Sequence, residues 1–113
     1  MNEFNPSRRY RLTFIERIFL ACAIDCDGVL EFYPVEGNKH MFRVVVRSIN
    51  EEFVEIAYKL LSRFGDVYWQ KSERDSFAIS VFNSSSIKEL CLEILPHLII
   101  YGNTAKKIIE FEG

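Results

Sequence analysis

The chain has 113 residues, 49% of them apolar and 27% charged, with a net charge of −2. That length supports one compact core rather than two, and the composition excludes a disordered chain. The weakly acidic balance argues against a uniformly basic nucleic-acid binder, whose phosphate contacts leave a positive footprint.

Basic residues concentrate in Ser7-Arg8-Arg9-Tyr10-Arg11, so residues 1–12 read as a basic N-terminal arm and 13–113 as one domain. No apolar stretch of signal-peptide type precedes Thr13, and the run Ile18 to Ile24 is too short to cross a bilayer. Cys22, Cys26 and Cys91 form no CxxC pair, and with only His40 and His97 no zinc spacing assembles. An odd cysteine count without a leader points to a reducing, intracellular compartment.

Thr13-Phe14-Ile15-Glu16 is a capping-box pattern, so a helix opens at Thr13. It runs through Leu20-Ala21-Cys22-Ala23-Ile24 to end near Cys26, where Gly28 could supply the left-handed geometry of a helix stop. It is apolar nearly all round from Ile18 onward, which predicts a central position. Two strand-like runs follow, 29–35 and 40–48, joined by a turn at Glu36-Gly37-Asn38-Lys39. In the second, Phe42, Val44 and Val46 form one face and Met41, Arg43, Val45 and Arg47 the other.

Asn50 caps a second helix whose apolar residues are Phe53, Ile56, Ala57, Leu60, Leu61 and Phe64, closed by Gly65. A second hairpin pairs 67–71 with 77–82 across a charged turn, and Trp69, alternating with Val67, should be core. Ser86-Ile87-Lys88-Glu89 reads as another capping box, opening a helix that Pro96 terminates, and a short last helix covers Thr104 to Phe111. The order α-β-β-α-β-β-α predicts an α+β domain, a four-stranded antiparallel sheet with helices on one face and the other face open.

Leu20 to Gly28, LACAIDCDG, resembles the LAGLIDADG signature of homing endonucleases. It matches at Leu20, Ala21, Ile24, Asp25, Asp27 and Gly28 and departs at Cys22, Ala23 and Cys26. The helix before it, the hairpin after it, the element order and Leu95-Pro96 before the last helix extend the resemblance over residues 13–111. A D-x-D-G turn also fits a solvated turn, while a calcium loop would need acids that are missing here.

The resemblance implies a saddle-shaped αββαββα domain. It also implies a site-specific double-strand DNA endonuclease that uses Mg²⁺ or another divalent cation and works on a pseudo-palindromic target. A chain with one motif must find its second helix in another molecule, by two-fold pairing of the same patch. Small residues permit that approach, so Ile18, Phe19, Ala21, Cys22 and Asp25 are the expected dimer interface. The metal falls to Asp27 and the carbonyl of Cys26, while Asp25 suits hydrogen bonding at the helix end. Cys22 and Cys26 otherwise read as packing thiols, an inter-subunit disulfide being the alternative.

Active members of the family place a lysine shortly after the segment aligned with Leu95-Pro96-His97-Leu98. Here Ile99, Ile100, Tyr101 and Gly102 follow, and the next basic residues are Lys106 and Lys107. Lys106, or Arg47 or Ser48 at the end of the second strand, is then the candidate for the catalytic polar group near the scissile phosphate. His97 is either a proton shuttle or structural.

Alternation puts Glu31, Tyr33, Arg43, Val45, Arg47, Tyr68, Gln70, Ser76 and Ser80 on the open face as DNA contacts, although any solvated sheet alternates in this way. Lys39, Lys71 and Arg74, with the Arg8-Arg9-Arg11 arm, suit phosphate contacts or plain surface charge. The competing functions are a catalytically degenerate relative, such as a DNA- or RNA-binding regulator or intron maturase, and an unrelated interaction domain.

Overall fold

The structure, a computed structural model, describes residues 10–35, 39–71 and 76–111, without the side chains of 34, 35 and 39. Helix α1 (Phe14–Asp27) leads into strands β1 (Gly28–Val35) and β2 (Lys39–Ser48), then α2 (Glu51–Leu61), β3 (Tyr68–Lys71) and β4 (Phe77–Val81). Helix α3 (Ser84–Ile94), a 3₁₀ turn (Leu95–His97) and α4 (Gly102–Glu110) complete the order expected from the sequence. Among the described residues no helix is long and apolar enough to cross a membrane.

Helix α1 starts as its capping box dictates. The Thr13 hydroxyl accepts from Glu16 N at 3.2 Å, and the Glu16 carboxylate accepts from Thr13 N at 2.8 Å. Its end differs from expectation. Gly28 is extended (φ −144°, ψ −169°), so helix passes into strand without a left-handed residue. Glycine is required there for space, because a Cβ would lie 2.3 Å from the Val45 carbonyl oxygen of the neighbouring strand.

The sheet order is β1-β2-β4-β3, antiparallel throughout, with Gly28 opposite Val46, Val46 opposite Ile79, and Trp69 opposite Ile79 on the far side. Leu30, Phe42, Val44, Val46, Ile79 and Val81 face the helices and are buried. They meet Leu20, Ala21, Ala23 and Ile24 of α1, Val54, Ala57, Leu60 and Leu61 of α2, Ile87, Leu90, Cys91 and Ile94 of α3, and Ala105 and Ile108 of α4. Each large side chain so buried contributes about 1.5–3 kcal/mol. Leu12 is part of the same core.

Three local expectations change. Ile56 is 48% exposed and Val54 is buried instead, because Ile56 stands about 100° round the helix from Ala57 at the stripe's centre. Trp69 is 39% exposed. It sits on the helix side of the sheet, but β3 is a four-residue edge strand, and the ring rests against Tyr58 and Phe77 at the rim. Helix α3 is capped by Asn83, whose side chain accepts from Ser86 N, so Ser86 is inside the helix. The Ser86 hydroxyl donates to Phe64 O at 2.7 Å, and a Cβ on Gly65 would lie 2.2 Å from that hydroxyl.

Candidate nucleic-acid interface

The tip of α1 carries two aspartates with different environments. Asp25 is half-buried, and its carboxylate accepts the backbone N–H groups of Ile99 (2.6 Å), Ile100 (3.0 Å) and Tyr101 (3.1 Å). The Tyr101 hydroxyl donates to Gly28 O at 3.2 Å. Asp25 therefore fastens the segment before α4 to the end of α1, and its carboxylate is engaged within its own chain. Asp27 is exposed and has no hydrogen bond or ion pair among the described residues. It stands at the negative end of the helix dipole, with no basic residue in the last turn, where a carboxylate is disfavoured and a cation welcome.

The described residues contain no group of three or more His, Cys, Asp or Glu that could hold a metal. One chain offers the Asp27 carboxylate and the unpaired carbonyls of the last helical turn, Cys26 among them. These are hard oxygen donors. They fit Mg²⁺ or Ca²⁺ completed by water and phosphate oxygens, and not a metal that demands a full protein cage.

Arg47 and Ser48 separate cleanly. The β1–β2 register ends at Gly28↔Val46, so Arg47 is the first β2 residue beyond that pairing, and it lies opposite Ala78 of β4. Arg47 is exposed on the open face and has no ion pair among the described residues. Ser48 pairs with Phe77 on the helix side, and its hydroxyl accepts from Asn50 N at 3.0 Å. It is the last residue of β2, and its hydroxyl faces the entry to α2 rather than the open face. Lys106 is exposed on α4, and no hydrogen bond or ion pair joins it to Asp27. The His97 ring packs edge-on against Phe14 at 5.4 Å. Burial, and secondarily Arg17, hold its pKa below the ordinary value, which suits a structural ring.

The open face is less basic than alternation implies. Arg43 is engaged by Glu31 across the β1–β2 pair through a hydrogen bond and an ion pair. The Tyr33 hydroxyl contacts Met41 Sδ at 3.7 Å, and Val45 is buried between its neighbours Val29 and Ser80. Tyr68 is exposed with its ring 5.9 Å from Phe82, Gln70 is exposed, and Ser80 and Ser76 are half-buried. Lys71 falls on the helix side of β3, its ammonium 5.8 Å from the Phe77 ring, so it is an edge cation. Glu31, Tyr33 and Arg43 also line a shallow pocket of about 370 Å³ with Thr104 of α4. Arg8, Arg9, Arg74 and the Lys39 side chain lie outside the described residues. Arg11 is drawn to the body instead of extending as an arm, 3.5 Å from Glu89 and over the Phe64 ring.

The expected dimer residues also divide. Ala21 is buried in its own core, and Phe19 is half-buried, packed on Phe53 at 5.3 Å. The outer surface carries the expected Ile18 and Cys22, with Ile15 and Cys26 beside them, all exposed. The two sulfurs lie 3.7 Å apart. The contact with Cys22, followed by desolvation and then the charges of Asp27 and Asp25, raises the Cys26 thiol above its ordinary pKa.

Sequence inspection missed Glu93. Its buried carboxylate accepts from Arg11 N at 3.0 Å and Leu12 N at 3.0 Å, holding the approach to α1. An acid inside an otherwise apolar stripe, Leu90-Cys91-Leu92-Glu93-Ile94, was the available signal.

A β1-β2-β4-β3 antiparallel sheet, backed by helices and entered from a helix that ends on two aspartates and a sterically required glycine, is the LAGLIDADG homing-endonuclease fold. Among solved structures, the homing endonuclease I-CvuI bound to its target (Sro1.3) in the presence of 2 mM Ca aligns with TM-score 0.71 at 16% identity. I-CvuI bound to the I-CreI target (C1221) in 2 mM Mg, its DNA not cleaved, aligns equally with TM-score 0.71 and 16% identity. Both alignments cover 85% of this chain and 64% of the neighbour, so this chain spans under two thirds of the enzyme it resembles. No family model and no curated protein matches the sequence.

Proposed function

We propose that this protein is a site-specific double-strand DNA endonuclease that acts as a homodimer with Mg²⁺ or another divalent cation. The observation that carries the reading is Asp27, an exposed carboxylate at the tip of α1 with no hydrogen bond or ion pair among the described residues, with Arg47 exposed on the open face of the sheet. The fold likeness to an endonuclease bound to DNA supports the same assignment. Asp27 and the Cys26 carbonyl would hold the cation, which when bound activates water and stabilises the leaving oxygen of a phosphodiester. Arg47 would neutralise charge developing on the phosphate. Tyr68, Gln70 and Arg47 would meet the groove from the open sheet face, with the Glu31–Arg43 pair presenting a fixed donor–acceptor edge. Two copies joined through the outer stripe of α1 would each cut one strand of a pseudo-palindromic site.

A second reading is a degenerate relative that binds DNA or RNA as a regulator or intron maturase without cutting. It is favoured by the apolar Ile99-Ile100 where a lysine would be expected, and by the pairing of Arg43 with Glu31. Incubating the protein with a randomised duplex library and Mg²⁺, then sequencing both cut and retained DNA, separates the two. The nuclease reading requires cut ends at a recurrent site. Asp27→Asn should lower cutting by roughly 100-fold or more while leaving retention on that site, since the metal supplies several kcal/mol to the transition state and not to binding. Recurrent retention without cutting in any divalent metal would establish the second reading.

A further inference from the structure

Cys22 and Cys26 take no part in the proposed chemistry through their thiols, yet both are exposed. Free cysteine is among the most consistently buried residue types, and the third one here, Cys91, is buried in the core. The exposed pair stands one helical turn apart on the same stripe as Ile15 (76% exposed) and Ile18 (42% exposed). The sulfurs lie 3.7 Å apart. A tetrahedral zinc site with Zn–S bonds of about 2.3 Å has sulfur–sulfur edges of about 3.8 Å. The pair is therefore already at the bite of one edge of a tetrathiolate. A disulfide, by contrast, would need the sulfurs to close to about 2.05 Å.

We propose that Cys22 and Cys26 form half of a binding site for a thiophilic divalent cation of the zinc type, completed by the same two thiols of a second copy of the chain. The inference rests on the homodimer reading given under Proposed function, because one chain supplies two ligands of four. A spacing rule applied to a single chain therefore cannot find it. A two-fold axis beside the stripe turns one i, i+4 pair into two facing pairs, with the exposed Ile18 one turn before Cys22 on the same stripe. Ligand softness keeps this ion distinct from the one at Asp27. Thiolates select zinc-type cations, whereas carboxylate and carbonyl oxygens select magnesium or calcium.

Cobalt(II) titration of the reduced protein tests the site, with sedimentation run on the same samples. The expected result is the visible and near-ultraviolet spectrum of tetrahedral thiolate-bound cobalt, saturating at one metal per two chains and displaced by zinc. Cys22→Ser and Cys26→Ser should each weaken zinc binding by more than about 100-fold, because even outer-shell losses cost about 10–100-fold. Both serine variants are at exposed positions and should remain folded dimers. A dimer that gives no thiolate–cobalt band overturns the site and leaves the homodimer reading intact. So does a dimer that merely cross-links through these cysteines under peroxide. A monomer at every concentration, with and without metal, overturns both.

Discussion

Glu16 links local sequence to long-range structure at the level of a single side chain. It closes the cap of α1 and also receives the Arg63 guanidinium at 2.6 Å. The Arg63 hydrogen bond, followed by that of the Thr13 backbone, lowers its pKa from 4.5 to about 2. A carboxylate depressed on folding contributes stability that is fully present above its unfolded pKa and is lost as pH falls through the folded value. Glu16→Gln should therefore destabilise the protein at pH 6, and the difference from wild type should shrink between pH 4.5 and 2. Urea unfolding across that range checks it. The site is exposed, so added salt should also narrow the gap. The cap was legible in the sequence because Thr13 and Glu16 are three residues apart. The Arg63 partner, 47 residues away, was not.

Among the elements, the open face of the sheet separates two arginines that look equivalent in sequence. Both alternate outward on β2, but Arg43 is held by Glu31 on β1 while Arg47 extends past the last paired residue of β1. Only a cation without an internal partner adds fully to counterion release on binding phosphate. Arg47→Ala should thus lower the slope of log affinity against log salt for duplex DNA by about 1, and Arg43→Ala should change it less. Fluorescence anisotropy over a salt series reads both. The face as a whole was legible from period-two alternation, and its charge was not, because alternation fixes which side a residue takes and leaves its cross-strand partner open. The same limit explains Trp69, placed on the correct side but at the exposed rim of a short edge strand.

For the whole molecule, the outer surface of α1 keeps apolar side chains exposed once the core is built. Ala21, Ala23, Leu20 and Ile24 are consumed inside, and Ile15, Ile18, Cys22 and Cys26 remain outside. On the homodimer proposed above, Ile18→Glu should leave the fold intact and weaken self-association by at least about 30-fold, since an unpaired charge in a buried seam costs about 2–5 kcal/mol. Sedimentation equilibrium measures the change, and DNA cutting should fall with the dimer. Retained dimerisation in this variant would place the two-fold contact elsewhere.

The sequence by itself determined the order of elements, their buried faces, the caps at Thr13 and Asn50, and the motif Leu20 to Gly28 at the end of the first helix. All of these depend on neighbours within a turn or two of chain, where periodicity and capping chemistry act. Tertiary structure alone decided which acid is free. Asp25 and Asp27 are two residues apart and alike in sequence, yet Asp25 is bound by amides 74 to 76 residues away, and Asp27 is left exposed. Gly28 likewise proved necessary for the approach of Val45 O rather than for a left-handed turn. A partner brought in by the path of a distant loop leaves no local pattern, so the distinction between anchor and open carboxylate exists only once the chain has closed.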